Sequence, residues 1–402
     1  MGESAAISGV GCVSGLGWSV REFRDGLLSG RVAIGPFDLF DSGRHRTRVA
    51  AQVPVPASPH LILAPWHSRV DGFAVHAARA ALAEAGLGTA FDADRIGVFF
   101  GTSTAGMHET ERFYARLTAH DARLRVRPVA AQQSNAPGDT VARTFGVRGP
   151  VVSVSTACVS AAQALLVALD AIRSGEVDVA IAGGADGLCQ LTYAGFNALR
   201  AVDAAACVPY RATRQGLSLG EGAGVLVLES SEHAKRRGAH VLGWLLGAGS
   251  TCDAHHVAAP APDGEGAARA IREALQDAHL APAEIAFVNV HGTGTPLNDS
   301  AEAMALQSVF GTRTRLLPVT STKSLVGHLL GAAGALEAIA TLLCLQAESV
   351  HPTAGPGSAD PDLGVDLVLG TARPAPGARF AVSTNLAFGG ANTALVLGRT
   401  TP

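Results

Sequence analysis

Cys158 is the first of four places in the chain where residue type and spacing could support chemistry. It lies between a β-branched run that ends at Ser155 and an Ala/Leu-rich helical pattern that begins at Val159. A cysteine at such a strand-to-helix junction lies where unpaired backbone N–H groups point and the helix dipole is positive. That setting favours the thiolate, which is the nucleophilic form of cysteine. The alternative is a small buried core residue, the commoner role of a free cysteine.

Two histidines stand in Gly-rich turns. His291 opens the segment His-Gly-Thr-Gly-Thr-Pro, in which the glycines allow a sharp turn and the hydroxyls of Thr293 and Thr295 can hold a polar chain. His328 follows Lys323 by five residues, and Lys323 is one of only two lysines among 31 basic residues. A lone histidine is more often a core or surface residue than a catalyst, but two histidines in such turns favour a catalytic pair.

The fourth place is the loop 388–392, which reads Phe-Gly-Gly-Ala-Asn. It is flexible because of its two glycines, and it carries a single bulky side chain. Phe388 would be an ordinary core aromatic at the start of a strand if its loop lies away from Cys158. If the loop lies beside Cys158, Phe388 would be part of the reactive site.

Composition excludes several classes of function. The net charge of −3 gives no general case for nucleic-acid binding, and the N-terminus lacks the charged and apolar regions of a secretory signal. The most apolar stretch, 325–345, contains His328, Glu337 and three glycines, which indicates a buried helix rather than a membrane span. Six scattered cysteines without a CxxC pair favour neither a metal site nor a disulfide framework, and they predict a reducing cytoplasm.

Three pairs of segments echo one another in the same order along the chain, which indicates an internal duplication. The pairs are 98–104 with 288–295, 154–158 with 320–323, and 219–228 with 387–397. We therefore predict two halves that form one compact unit: residues 1–240, which carry Cys158, and residues 241–402, which carry both histidines.

Apolar runs and helical patterns alternate along both halves. The predicted strands are 96–100, 151–155, 177–182, 225–228, 285–290, 319–321 and 380–384, and the predicted helices are 70–85, 159–174, 265–278, 300–310 and 329–345. This alternation is typical of an α/β fold with mainly apolar sheets. Helices 159–174 and 329–345 are rich in Ala, Leu and Gly all round, so we expect both to be buried between two mixed sheets.

Taken together, these motifs resemble those of the β-ketoacyl-acyl-carrier-protein synthases of the decarboxylating I/II class, in the thiolase superfamily. The resemblance runs from end to end and is carried by 7–17, 216–224, the His291 turn, and Lys323 with His328. It implies a duplicated thiolase fold, layered α-β-α-β-α.

The resemblance also implies an activity. Cys158 would accept an acyl group from a carrier protein or coenzyme A, and His291 and His328 would donate hydrogen bonds to the thioester carbonyl of malonyl-carrier protein. Loss of CO₂ and attack on the acyl group would give 3-oxoacyl-carrier protein, in fatty-acid or type II polyketide or polyene synthesis. Lys323 would help keep His328 neutral and would hold a carboxylate such as Glu337.

Further roles follow from the resemblance alone. They are an oxyanion hole from the N–H groups of Cys158 and Phe388, a gate formed by Phe388, and pantetheine binding by Thr293 and Thr295. Asn392 would support the histidine loop, Gly389 and Gly390 would be supporting residues, and the acyl pocket would include Met107 and Phe196. The resemblance implies no metal and no resident cofactor, since phosphopantetheine arrives on the carrier protein. The expected partners are acyl-carrier protein and a second subunit, either an identical copy or a chain-length-factor-like protein.

Two residues depart from the family pattern, and three other classes compete with it. Ala387 replaces the usual Gly before the gating Phe, and Arg211 replaces an Asp. A non-catalytic chain-length-factor subunit would lack the nucleophilic cysteine. A thiolase would need a second catalytic cysteine near the C-terminus, and Cys344 lies within a helical pattern. A class III synthase would carry Asn in place of His328.

Overall fold

The part of the chain that the structure describes, residues 4–55, 68–87 and 92–400 of a computed structural model, alternates strands and helices. The helices are α1 (Val20–Ser29), α2 (Arg69–Glu84), α3 (Met107–Thr118), α4 (Ala136–Phe145), α5 (Ser160–Arg173), α6 (Gln190–Ala198), α7 (Ser231–Arg237), α8 (Glu265–Asp277), α9 (Pro296–Phe310), α10 (Lys323–Val326) and α11 (Ala333–Ala347). The strands are β1 (Ala5–Val13), β2 (Gly35–Pro36), β3 (Val49–Ala50), β4 (Ile96–Gly101), β5 (Val151–Val154), β6 (Val179–Asp186), β7 (Gly222–Ser230), β8 (Gly243–Cys252), β9 (Ile285–Asn289), β10 (Pro318–Thr320), β11 (Ser349–Val350), β12 (Asp366–Leu367), β13 (Arg373–Pro374), β14 (Phe380–Leu386) and β15 (Ala391–Gly398).

Within the described residues, eleven strands form one sheet, in the order β12-β10-β9-β14-β15-β8-β1-β7-β6-β4-β5. On one side of its centre, β1, β7 and β6 pair antiparallel, and β6, β4 and β5 run parallel. On the other side, β8, β15 and β14 pair antiparallel, and β14, β9 and β10 run parallel. The two sides therefore repeat the same order and direction of strands, which confirms the internal duplication.

The two mixed sheets that the sequence predicts meet at β1 and β8. Residues 5–7 of β1 pair antiparallel with residues 243–245 of β8, so the two sheets are continuous through this short ladder. The boundary between residues 240 and 241 stays a prediction, although it falls in the connection that leads into β8.

Helices α5 and α11 lie between the two halves of the sheet, while α2 and α8 cover the outer faces. Gly334 on α11 permits this close approach, because a Cβ atom there would lie 2.7 Å from the Cβ of Ala162 on α5. The segment Leu330–Ala347 is apolar and long enough to span a membrane by composition, but 89% of it is buried inside the protein. Its hydrophobicity is thus explained by packing, and the prediction of buried central helices is confirmed.

Several elements of the fold were not predicted, among them helices α1, α3, α4, α6 and α7, and one predicted helix begins later than expected. Strand β8 was not predicted, because its glycines weaken the β pattern; they are needed there, since a Cβ at Gly249 would lie 2.2 Å from the carbonyl oxygen of Ala270 on α8. The helix predicted at 329–345 begins only at Ala333. A 3₁₀ turn, Leu330–Ala332, precedes it and leaves His328 in a tight connection rather than on a helix.

Candidate active site

A strained backbone turn presents Cys158. The turn follows β5, and Ala157 adopts a φ of +51°, which residues with a side chain rarely do. Two hydroxyls hold the Ala157 carbonyl in place: Ser103 donates to it at 2.9 Å and Ser160 at 2.6 Å. The Ser160 oxygen also accepts the N–H of Thr156 at 2.9 Å. Cys158 is therefore fixed at the start of α5, with 8% of its surface exposed.

The electrostatic surroundings of Cys158 correct one expectation. Burial raises the pKa of the Cys158 thiol to about 11, while the Lys323 ammonium and the backbone N–H of Phe388 act to lower it. The strand-to-helix position had suggested a thiolate, but desolvation outweighs it. At neutral pH Cys158 is a thiol, and it must lose its proton as it attacks.

Glu302 of α9 holds the turn that carries His291. Its Oε1 accepts the N–H of His291 and the hydroxyl of Thr384, each at 2.7 Å. Its Oε2 accepts the N–H of Gly292 at 2.9 Å and the hydroxyl of Tyr210 at 3.0 Å. A carboxylate offers about four acceptor positions, so these donors saturate Glu302.

Lys323 donates a hydrogen bond to Nδ1 of the His291 ring. The Lys323 Nζ lies 3.1 Å from His291 Nδ1 and 2.5 Å from Glu337 Oε1. Asn385 completes the group by donating to Glu337 Oε2 at 2.6 Å. The expectation that Lys323 helps keep His328 neutral is confirmed, because the ammonium acts to lower the pKa of His328. Its hydrogen bond to a ring, however, goes to His291.

The mid-chain segment 216–224 and an unusual turn place His328. The His328 N–H donates to Ser218 O at 2.7 Å, and Gly220 N–H donates to His328 O at 2.9 Å. Leu330 adopts a φ of +50°, and its N–H donates to Nδ1 of His328 at 3.2 Å. The ring is thereby bonded within its own turn.

Both histidine rings are neutral hydrogen-bond donors. The pKa values of His291 and His328 lie well below the ordinary value of 6.5. Burial is the main cause, and the nearby Lys323 ammonium is the second. Each Nδ1 accepts a hydrogen bond, so each Nε2 carries the proton. The rings are perpendicular, with centroids 5.2 Å apart. Such a pair can bind a carbonyl oxygen that gains negative charge.

The nucleophile and both rings line one cavity of about 280 Å³. Its lining includes seven of the predicted site residues besides Cys158: Phe196, His291, Thr293, Thr295, His328, Phe388 and Asn392. The Thr293 and Thr295 hydroxyls are 2.9 Å apart. Phe388 is 40% exposed, and its ring centroid lies 5.7 Å from that of Phe196. Phe388 is thus a wall of the cavity rather than a core aromatic.

Asn392 supports the Phe388 loop and not the histidine loop that we had expected. It donates to Asp253 Oδ1 at 2.7 Å and to Gly390 O at 3.0 Å. Gly389 N–H donates to Val257 O at 2.8 Å. Strand β15 pairs with β8 here, so Asn392 faces the start of the segment after β8.

Met107 does not line the cavity of Cys158 in the described chain, and its place in an acyl pocket completed by a second subunit stays a prediction. It lines a separate open depression with Tyr114, Leu191 and Ala194. Helix α3 begins at Met107, and this start places the side chain toward α6. Of the two predicted acyl-pocket residues, only Phe196 reaches the cavity with Cys158.

Several residues of the site were missed by sequence reasoning. Asp186, Tyr210 and Glu302 were not selected, although Glu302 follows the His291 turn at a spacing that points a helix side chain back toward it. Arg211, where the family has Asp, makes no carboxylate pair among the described residues. It donates to Thr353 O at 2.7 Å and to Gly357 O, so it binds backbone carbonyls instead.

Comparisons with known proteins agree with this geometry. The family model for the N-terminal domain of beta-ketoacyl synthase matches residues 3–234, and that for the C-terminal domain matches residues 242–356. The chain is 34% identical to 3-oxoacyl-[acyl-carrier-protein] synthase 2 of Synechocystis sp., over 98% of this chain and 97% of that protein.

Two solved structures share the fold along its whole length. One is the ishigamide ketosynthase/chain length factor, with a TM-score of 0.93, 35% identity and 99% of each chain covered. The other is AntDE:AntF, a type II PKS acyl-carrier protein in complex with its ketosynthase bound to the hexaketide, with a TM-score of 0.91, 29% identity and coverage of 99% of this chain and 100% of that one. The expected duplicated thiolase fold is confirmed by these neighbours, and the chain belongs to the beta-ketoacyl synthase family.

Proposed function

We propose that the protein is a 3-oxoacyl-[acyl-carrier-protein] synthase that condenses a Cys158-bound acyl group with malonyl-carrier protein, with loss of CO₂. The observation that carries this proposal is the shared cavity of one thiol and two neutral imidazoles, each with its proton on Nε2. A chain-length-factor role is not favoured, because the nucleophile and both donors are present and held in place.

In the first half of the reaction, Cys158 Sγ attacks the thioester carbonyl of the acyl donor. The Sγ–H bond breaks, a new thioester forms, and the carrier thiol leaves with the proton. The N–H of Phe388 already donates toward the Cys158 sulfur, so it is placed to bind an oxygen on the attacked carbon. Neither histidine is assigned as the base, because each Nδ1 already accepts a hydrogen bond and each Nε2 carries the proton, which leaves neither ring a free lone pair for the thiol proton.

In the second half, the thioester carbonyl of malonyl-carrier protein accepts the Nε2–H groups of His291 and His328. The carboxylate carbon–carbon bond breaks and CO₂ leaves, while the electron pair forms an enolate that these two donors stabilise. The enolate carbon attacks the acyl carbon on Cys158. The C–S bond to Cys158 then breaks, and the thiolate regains one proton from solvent.

The remaining parts of the proposal concern the partners. Acyl-carrier protein would deliver both substrates on phosphopantetheine, which would pass Thr293 and Thr295, so no resident cofactor is needed. The second subunit would be an identical copy or a chain-length-factor-like protein. We place the enzyme in the cytoplasm, where the unpaired thiol of Cys158 stays reduced. Fatty-acid and polyketide or polyene synthesis both fit this chemistry.

Mass spectrometry of the carrier-protein product, after short and long acyl donors are offered with malonyl-carrier protein, tests the proposal. The product should gain two carbons and a 3-oxo group. Cys158→Ala should abolish it, whereas Cys12→Ala, a core cysteine on β1, should retain it. His328→Ala should stop release of CO₂ but leave Cys158 acylation detectable. Condensation by Cys158→Ala would refute the proposal.

A further inference from the structure

A further buried carboxylate, besides Glu302 and Glu337, lies against both catalytic turns and is not used by the proposed reaction. Asp186 ends β6, and only 1% of its surface is exposed. We propose that Asp186 is a positioning residue that holds the Cys158 turn and the His328 turn in a fixed relation to each other. This inference rests on the proposed function, because it concerns the placement of the groups in that reaction.

On the side of Cys158, Asp186 binds the loop that follows β4. The donors are the hydroxyls of Thr102 and Thr104 and the N–H groups of Ser103 and Thr104, each at 2.8 Å, and the N–H of Ala105 at 3.2 Å. The same Ser103 donates from its hydroxyl to the carbonyl of Ala157. One residue therefore separates Asp186 from the strained peptide that presents Cys158.

On the side of His328, Asp186 binds the turn that fixes the ring. The N–H of Gly331 donates to Asp186 Oδ2 at 2.7 Å, and the preceding Leu330 is the residue whose N–H binds His328 Nδ1. A Cβ atom at Gly331 would lie 2.7 Å from Asp186 Oδ2 and 2.6 Å from Ser103 N. Glycine is thus required for the two turns to approach the carboxylate this closely.

The contacts also define the charge of Asp186. Among the described residues, four backbone N–H groups and two hydroxyls donate to it, and an N–H group cannot accept a proton from the carboxyl. Burial raises the pKa of Asp186, but the donors favour its ionised form. An amide could not replace it, because its NH₂ would face N–H groups. The negative charge in turn acts to raise the pKa of Cys158.

The test is Asp186→Asn, with two measurements on the full chain. Condensation should slow by about tenfold or more, since at least two charge-assisted hydrogen bonds are lost. The pH dependence of Cys158 alkylation by iodoacetamide should shift to lower pH, because a neighbouring negative charge is gone. Alkylation requires no condensation, so failure of this inference is distinguishable from failure of the proposed function.

Asp178→Asn, next to the opposite end of the same strand, is the matched control, because Asp178 pairs with Arg95 far from the cavity. It should leave both measurements unchanged. A condensation rate of Asp186→Asn within about twofold of the wild type, or an unmoved alkylation profile, overturns the proposal. If Asp186→Asn does not fold, Ser103→Ala replaces it, since it removes only the bond to Ala157: condensation should then fall about threefold or more, and an unchanged rate overturns the proposal.

Discussion

Lys323 donates from Nζ to Nδ1 of His291 across 3.1 Å, although the two residues are 32 positions apart in the chain. The same Nζ is bonded to the buried carboxylate of Glu337. One cation therefore sets the tautomer of a catalytic ring and neutralises an acid that would otherwise be buried alone. The chemical and structural contributions of Lys323 can be separated by substitution.

Lys323→Met should abolish most malonyl decarboxylation and should also destabilise the fold by about 3 kcal/mol, because it leaves Glu337 buried without its cation. The double variant Lys323→Met/Glu337→Met should recover much of the stability but none of the decarboxylation. Denaturant unfolding and CO₂ release measure the two effects. Recovery of decarboxylation in the double variant would show that Lys323 acts only through the stability of the fold.

Tyr210→Phe removes one of the four donors to Glu302 and no other side-chain atom. We expect a loss of about 1–2 kcal/mol of unfolding free energy at pH 8. Burial already raises the pKa of Glu302, and loss of a donor raises it further. The penalty exists only while the folded carboxylate is ionised, so it should shrink as pH falls through that raised pKa. Unfolding curves from pH 8 to pH 5 would test this, and a pH-independent difference would contradict it.

The decarboxylation rate should stay level as pH falls through 6.5. The pKa values of His291 and His328 both lie well below that value, so the neutral, donating rings persist in mildly acidic solution. Release of CO₂ from malonyl-carrier protein, followed from pH 8 downwards, provides the measurement. Loss of half the rate near pH 6.5 would mean that at least one ring is more exposed than the structure shows.

Alkylation of Cys158 should accelerate by about tenfold for each pH unit between pH 7 and pH 10, because the thiol has a pKa of about 11. Site-resolved mass spectrometry after iodoacetamide treatment would follow it. A Cys252→Ala background removes the exposed competing thiol. A plateau near pH 7 would instead indicate the stable thiolate that the sequence position suggested.

Gly334→Ala should destabilise the protein by about 1–3 kcal/mol, since the new methyl would lie 2.7 Å from Ala162 and push α11 away from α5. Gly72→Ala on α2 is the matched control. It has nothing within 4 Å of its added Cβ, and alanine is the better helix former, so it should raise stability by up to about 1 kcal/mol. Thermal unfolding of both variants measures the change in stability. Equal changes in the two variants would contradict the close packing of α11 against α5.

The sequence predicted the strands and helices whose apolar patterns are strong, such as β4, β9 and α8. It also predicted the residues of the cavity where a motif marked them. It missed Asp186 and Tyr210 because their importance lies in the groups that they contact from distant parts of the chain, and no local pattern encodes those partners. Glu302 was missed although its spacing after the His291 turn was a usable signal.

The positive backbone angles of the site are divided between two kinds of residue. Ala157 and Leu330 adopt them with a side chain present, whereas Gly389 and Gly390 adopt them freely. The strained turns at Ala157 and Leu330 persist because the surrounding hydrogen bonds hold them, so their backbones can shift little. We therefore expect Cys158 and the two histidine rings to be held rigidly and to keep the same positions in both half-reactions. We expect any movement between acyl loading and malonyl entry to occur in the Phe388 loop, where Gly389 and Gly390 allow the backbone to turn.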